Sequence, residues 1–163
     1  MKVWRLPAEV DADQLAPGHA MPYGLTVVAR HCLEMLRPHF ARDVRPGDVI
    51  VAGPHFGVGS SREEAASVLV RLGVAAVIAP SFNGLFFRNA CNMGLLALTC
   101  PQAALLNEGE AVFCDARQAR ILRTDGSLLA VEAIPAFLLD RIEAGGLLPQ
   151  LRQQTDRQRG HPC

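Results

Sequence analysis

No sign of charge predominates in the 163-residue chain, where 16 Lys and Arg stand against 16 Asp and Glu. That balance removes the general electrostatic attraction on which nucleic acid or an acidic membrane face relies, and no basic run or ladder of stacking aromatics supplies one locally. No apolar run reaches the ~20 residues a bilayer span needs. The opening Met1 to Leu6 (MKVWRL) lacks the apolar core of a signal peptide. A soluble, cytoplasmic protein is expected, with neither nucleic acid nor membrane as partner. The five cysteines (Cys32, Cys91, Cys100, Cys114, Cys163) are odd in number and scattered. They form no C-x-x-C pair and no Cys/His ligand spacing, so they are read as reduced, buried thiols, and no metal site is assigned to the chain.

What is present is a composition for folding, 50% hydrophobic and 20% charged. A chain of this length buries about 68–70% of the surface its unfolded form exposes, enough for a core without staples. One domain spanning residues 1–163 is expected, with the polar, Arg/Gln-rich 150–163 as a flexible tail.

Short apolar runs at Lys2–Leu6, Asp48–Ala52, Val74–Ala79 and Leu95–Thr99 read as strands. Helical spacing occurs over Thr26–Leu36, with Thr26 able to cap, and again over Arg62–Leu72 and Asn83–Met93. Strand, helix, strand, helix, strand is the pattern of crossover units around a parallel sheet. Pro7–Gly24 has neither period and reads as a long ordered loop over a site or a partner. After Pro101, Ala111–Cys114, Arg120–Arg123 and Leu128–Glu132 read as strands around an Asp125-Gly126 turn, and Pro135–Ala144 as a last helix with Pro at its first position. The expected fold class is α/β, a mixed, partly parallel sheet flanked by helices with a C-terminal β-hairpin plus helix.

The most informative segment is Gly57-Val58-Gly59-Ser60-Ser61-Arg62-Glu63-Glu64, which joins an apolar strand to a helix start. Glycines let the backbone turn and approach a ligand, the first N–H groups of a helix attract an anion, and an arginine fork suits a carboxylate. The same stretch fits a capping box as Ser60-x-x-Glu63 or Ser61-x-x-Glu64. Both readings stand on spacing alone, while a Walker A loop and a dinucleotide fingerprint are absent. Asp11 and Asp13 flank Ala12 either as turn residues or as carboxylates that hold an Arg or His. His55 adjoins the glycine turn and His19 lies in the long loop; a solvated or core-satisfied histidine is the plainer reading of each.

Three blocks carry a family resemblance: Val10-Asp11-Ala12-Asp13 with Pro17-Gly18; Arg45-Pro46-Gly47-Asp48 leading to Gly57-Val58-Gly59-Ser60-Ser61-Arg62-Glu63; and Ile78-Ala79-Pro80-Ser81-Phe82 through Phe87-Arg88-Asn89 to Gly94-Leu95. Over about Trp4–Leu98 the chain resembles the small subunits of the aconitase superfamily, those of isopropylmalate isomerase and homoaconitase, equivalent to the swivelling β/β/α domain of single-chain aconitases. Ala12 replaces the family's usual threonine and Ala97 its usual proline.

The resemblance implies a heteromeric hydro-lyase that isomerises a hydroxy di- or tricarboxylate by dehydration and rehydration. A [4Fe-4S] cluster on a partner large subunit would act as Lewis acid, with no cofactor held by this chain. Ser60 matches the serine base, Ser61 its assisting neighbour, Asp13 an active-site aspartate, and Arg62, beside Gly59, the arginine that grips a substrate carboxylate. The loop after Pro17-Gly18 would set substrate choice. Here it reads His19-Ala20-Met21-Pro22-Tyr23-Gly24, without an arginine. Met21 and Tyr23 would line an apolar pocket with His19 nearby, which favours 3-isopropylmalate and leucine biosynthesis. Homoaconitate, a methyl-substituted malate, or non-catalytic anion binding are the alternatives.

Overall fold

Val49-Ile50-Val51 and Ala76-Val77-Ile78-Ala79 are buried at every position, as strands covered on both faces must be. The computed structural model describes residues 1–7, 9–59 and 62–159. In it β1 (Val3–Arg5), β2 (Val49–Val51), β3 (Ala76–Ala79) and β4 (Leu96–Thr99) form one parallel sheet in the order β1-β2-β3-β4. The register aligns Val3 with Val49, Val49 with Ala76, and Ala76 with Leu96. The helices of the crossovers are α1 (Ala12–Leu15), α2 (Leu25–Arg30) and α3 (Phe40–Asp43), then α4 (Glu64–Arg71) and α5 (Gly84–Met93). Strands β5 (Val112–Asp115), β6 (Arg120–Arg123) and β7 (Leu128–Ala130) form a separate antiparallel sheet in chain order. Helices α6 (Ala136–Glu143) and α7 (Leu147–Arg159) follow, to the last described residue.

Alternation along the parallel strands divides the core into two layers. Ile50, Val77, Ala79 and Ala97 pack with Leu15, Phe40, Ala66, Leu69 and Phe86 on the helical side. Val49, Val51, Ala76, Ile78 and Leu98 pack on the other side with Val112, Ile121 and Leu129 of the antiparallel sheet. The β/β/α layering expected from the resemblance is therefore present, with the parallel and antiparallel pairings divided between two sheets.

Local differences from the sequence reading have physical causes. The expected loop at 7–24 contains α1 and a 3-10 turn over Gly18–Tyr23. Asp11 caps α1 by accepting the Gln14 N–H, and the Gln14 side chain accepts the Asp11 N–H in return. The helix expected over 26–36 runs only from Leu25 to Arg30, with Gly24 rather than Thr26 at its N-cap. At Leu33 the backbone turns left-handed (φ 59°) and its N–H donates to the Gln14 carbonyl at 2.8 Å, a tertiary bond that replaces the helical one. Pro135 caps α6 instead of occupying its first turn. Finally, the tail expected from 150 is helical to Arg159, because its Gln, Arg and Leu are good helix formers and Pro149 falls in the first turn, where proline is tolerated.

Candidate active site

Adjacent parallel strands all point their C-terminal ends to one edge of a sheet, and in such sheets that edge is where ligand sites form. Here the segments that leave β1, β2 and β3 stay in register beyond it. Ala12 N–H donates to the Val58 carbonyl and Gly57 N–H to the Val10 carbonyl, both at 2.8 Å. On the other flank Phe56 N–H donates to the Ser81 carbonyl at 3.1 Å and Asn83 N–H to the Phe56 carbonyl at 2.9 Å. These parallel bridges, Asp11 with Val58 and Phe56 with Phe82, fix the glycine turn between the other two blocks of the motif.

Beneath the turn lies an aromatic floor: the Phe56 ring meets Phe86 edge-on at 5.0 Å and Phe82 at 6.1 Å. Gly57 rests on it with φ 80°, and a Cβ there would lie 2.4 Å from Cγ of Phe86. Only glycine fits both the conformation and the space. Gly59, at φ 107°, also adopts backbone that side chains disfavour. His55 takes φ 59°, with its N–H donating to the Ser81 hydroxyl at 2.9 Å.

The two aspartates divide the two readings left open for them. Asp11 is the cap of α1, whereas Asp13, on the first turn, accepts from Nη2 of Arg62 at 3.0 Å. Both partners of that ion pair are open to solvent, with side-chain exposures of 70% and 46%. Ser60 and Ser61 lie outside the described residues. Helix α4 opens at Glu64 with Glu63 at its N-cap and no cap bond from the Glu63 side chain; the capping-box reading of Ser60 and Ser61 lies outside the described residues with them.

The three loop residues separate. His19, together with Asp11, Asp13, Pro17 and Glu34, lines an open cavity of about 250 Å³. Met21 lines a different one of about 280 Å³, against Leu25, Glu63, Glu64 and Ser67. Tyr23 is exposed and lines neither. Three residues near His19 were not singled out by sequence: Gln14, the reciprocal cap; His31; and Glu34, which lies 3.4 Å from Nε2 of His19 and 2.6 Å from Nδ1 of His31. The Asp11-x-x-Gln14 spacing was a readable signal for the first. The last two became neighbours of His19 only through the early end of α2.

The described cysteines do not suit an iron-sulfur cluster, which needs convergent thiolates. Cys32, Cys91, Cys100 and Cys114 are all buried and unpaired as disulfides. Burial pushes the Cys114 thiol up to about 11 and the Cys32 thiol further still. Among the described residues no helix is long and apolar enough to cross a membrane.

Residues 38–103 match the Aconitase C-terminal domain family. The methanogen homoaconitase small subunit of Methanothermobacter thermautotrophicus is 41% identical over 157 residues, covering 95% of this chain and 91% of that protein. The 3-isopropylmalate dehydratase small subunit of Heliobacterium modesticaldum is 38% identical, over 94% and 95% respectively. Among solved structures, 3-isopropylmalate dehydratase from Methanocaldococcus jannaschii superimposes with a TM-score of 0.88 at 32% identity, over 96% of this chain and 95% of that one. The chain belongs to the aconitase-superfamily family of 3-isopropylmalate dehydratase and homoaconitase small subunits.

Proposed function

We propose that the chain is the small subunit of a heteromeric hydro-lyase that interconverts 2-isopropylmalate and 3-isopropylmalate by dehydration and rehydration, a cytoplasmic step of leucine biosynthesis. The observation that carries the reading is the pairing of Asp13 with Arg62 beside the glycine turn, at the sheet edge where a substrate would sit. Arg62 grips a substrate carboxylate through its fork, and Asp13 holds that fork in place. Ser60 is the base that removes the proton from the carbon next to the hydroxyl-bearing one, and Ser61 assists it. Gly59 keeps the backbone close enough for both. A serine hydroxyl is a very weak acid, so its alkoxide needs the positive field of Arg62 and of a nearby helix start.

The partner is a cluster-bearing large subunit that closes over this edge. His19, which shares the Asp13 cavity, contacts substrate directly. Met21 and Tyr23 complete an apolar wall only when the partner is docked. A homoaconitase role is the second reading, favoured by the 41% identity to the methanogen protein.

Anaerobic reconstitution with a large subunit, followed by absorbance of the unsaturated product over a panel of isopropylmalate, homoaconitate and methyl-substituted malates, tests the proposal. Turnover that needs both chains and is fastest on isopropylmalate is expected. Turnover fastest on homoaconitate selects the second reading, and binding of these acids without turnover would leave only an anion-binding module.

A further inference from the structure

We propose that His19, His31 and Glu34 form a binding site for one divalent transition-metal ion of the zinc class. One ligand atom from each of the three lies within 4.8 Å of the others, and among the described residues no other group of three His, Cys, Asp or Glu does so. The site adjoins the proposed substrate cavity and shares His19 with it, but none of its ligands is Ser60, Asp13 or Arg62, and metal binding is read without turnover.

The backbone builds the cluster from two directions. His19 stands on the 3-10 turn over Gly18–Tyr23. His31 and Glu34 follow α2 on a run of tight turns, in which His31 N–H donates to Val28, Cys32 N–H to Ala29 and Glu34 N–H to His31. Leu33, buried and left-handed between them, is tied to Gln14 of α1. That tie anchors the turn carrying two ligands to the helix carrying Asp13. The imidazoles of His19 and His31 stand edge to face at 5.1 Å.

One ligand pair already has the separation a tetrahedral site needs, and the others lie within a side-chain rotation of it. Zinc holds nitrogen and oxygen ligands at about 2.0–2.2 Å, which sets them about 3.3 Å apart. Nε2 of His19 and Oε1 of Glu34 are already 3.4 Å apart. Nδ1 of His31 and Oε2 of Glu34 are 2.6 Å apart; the proton between them moves to Nε2 of His31 or to water as the metal takes both lone pairs. Binding therefore competes with protons. Two imidazoles and one carboxylate suit zinc, cobalt or nickel better than calcium or magnesium, which prefer oxygen. Three protein ligands leave a position for water, and the 61% exposure of the His19 side chain leaves the way open. Asp11 and Asp13 line the same cavity and add negative field, offset in part by Arg62.

The test uses the full chain carrying Cys163→Ser and His161→Gln, which removes tail ligands, after chelator treatment. Zinc is titrated by calorimetry and cobalt by visible absorption. One equivalent is expected, with cobalt d–d bands and no thiolate charge-transfer band, and a higher melting temperature with zinc. His31→Gln and Glu34→Gln should each weaken binding by at least about tenfold while the metal-free chain melts as before. Should either variant fold poorly, His19→Gln, at an exposed surface position, makes the same comparison. Absence of binding, binding unaffected by these changes, or a thiolate band would overturn the site and leave a metal-free His–Glu–His cluster.

Discussion

Asp13 and Arg62, 49 residues apart in sequence, meet at 3.0 Å between Oδ1 and Nη2. Each belongs to a segment leaving a different parallel strand, and the meeting needs the two segments to stay hydrogen-bonded beyond the sheet. An exposed ion pair adds little to stability, so its value lies in positioning. Asp13→Asn should melt within a few degrees of the parent. Arg62→Lys, which replaces a fork by a point charge, should raise KM by about tenfold or more. Thermal melts and steady-state kinetics on the reconstituted enzyme check both, and a large loss of stability would make the pair a structural clamp.

Gly57→Ala tests the aromatic floor. The new Cβ would sit 2.4 Å from the Phe86 ring in a left-handed backbone. A loss of about 2–4 kcal/mol in a denaturant titration is expected from overpacking and backbone strain together. A loss below about 1 kcal/mol would mean that the turn and α5 separate easily.

Much of this architecture was legible beforehand, for reasons that particular residues display. Val49–Val51 and Ala76–Ala79 read as strands because burial on both faces demands uninterrupted apolar sequence, and α5, read over Asn83–Met93 with Gly94 as its stop, differs only in that Asn83 is its cap and Gly84 its first residue. What escaped depended on contacts distant in sequence. Leu33 leaves the helical path to bond Gln14, and without that turn Glu34 would not reach His19. The role of Asp13 was likewise one of tertiary placement: Asp11-x-x-Gln14 spacing marks a cap, but the arginine that Asp13 meets lies 49 residues away.

Asp48 offers a probe of the opposite end of the sheet. It is 7% exposed, and its Oδ2 accepts from Nε1 of Trp4 at 2.9 Å and from the Arg45 N–H at 3.0 Å. Asp48→Ala strands both donors, with an expected cost of about 2–3 kcal/mol. Trp4 is the single tryptophan, so its emission should shift in the folded variant. Unchanged emission would mean that the indole finds another acceptor.

The Arg123 side-chain hydrogen bond, helped by the Asn107 N–H, holds the Glu110 carboxyl below its ordinary range despite opposing desolvation. A carboxylate depressed in the folded state contributes stability that is present above its unfolded pKa and is lost as pH falls through the folded one. Glu110→Gln should therefore lower the melting temperature at neutral pH and by progressively less as the solution is acidified below the ordinary carboxylate range. A difference independent of pH would show that packing, not charge, is what Glu110 supplies where β1 meets β5.

The most direct measurement is the turnover of Ser60→Ala, reconstituted anaerobically with the large subunit and assayed on isopropylmalate beside the parent chain. Loss of a positioned base predicts a kcat lower by about 10²–10⁴-fold or more, with unchanged melting and unchanged assembly. Turnover near that of the parent would contradict the assignment of Ser60 as the base.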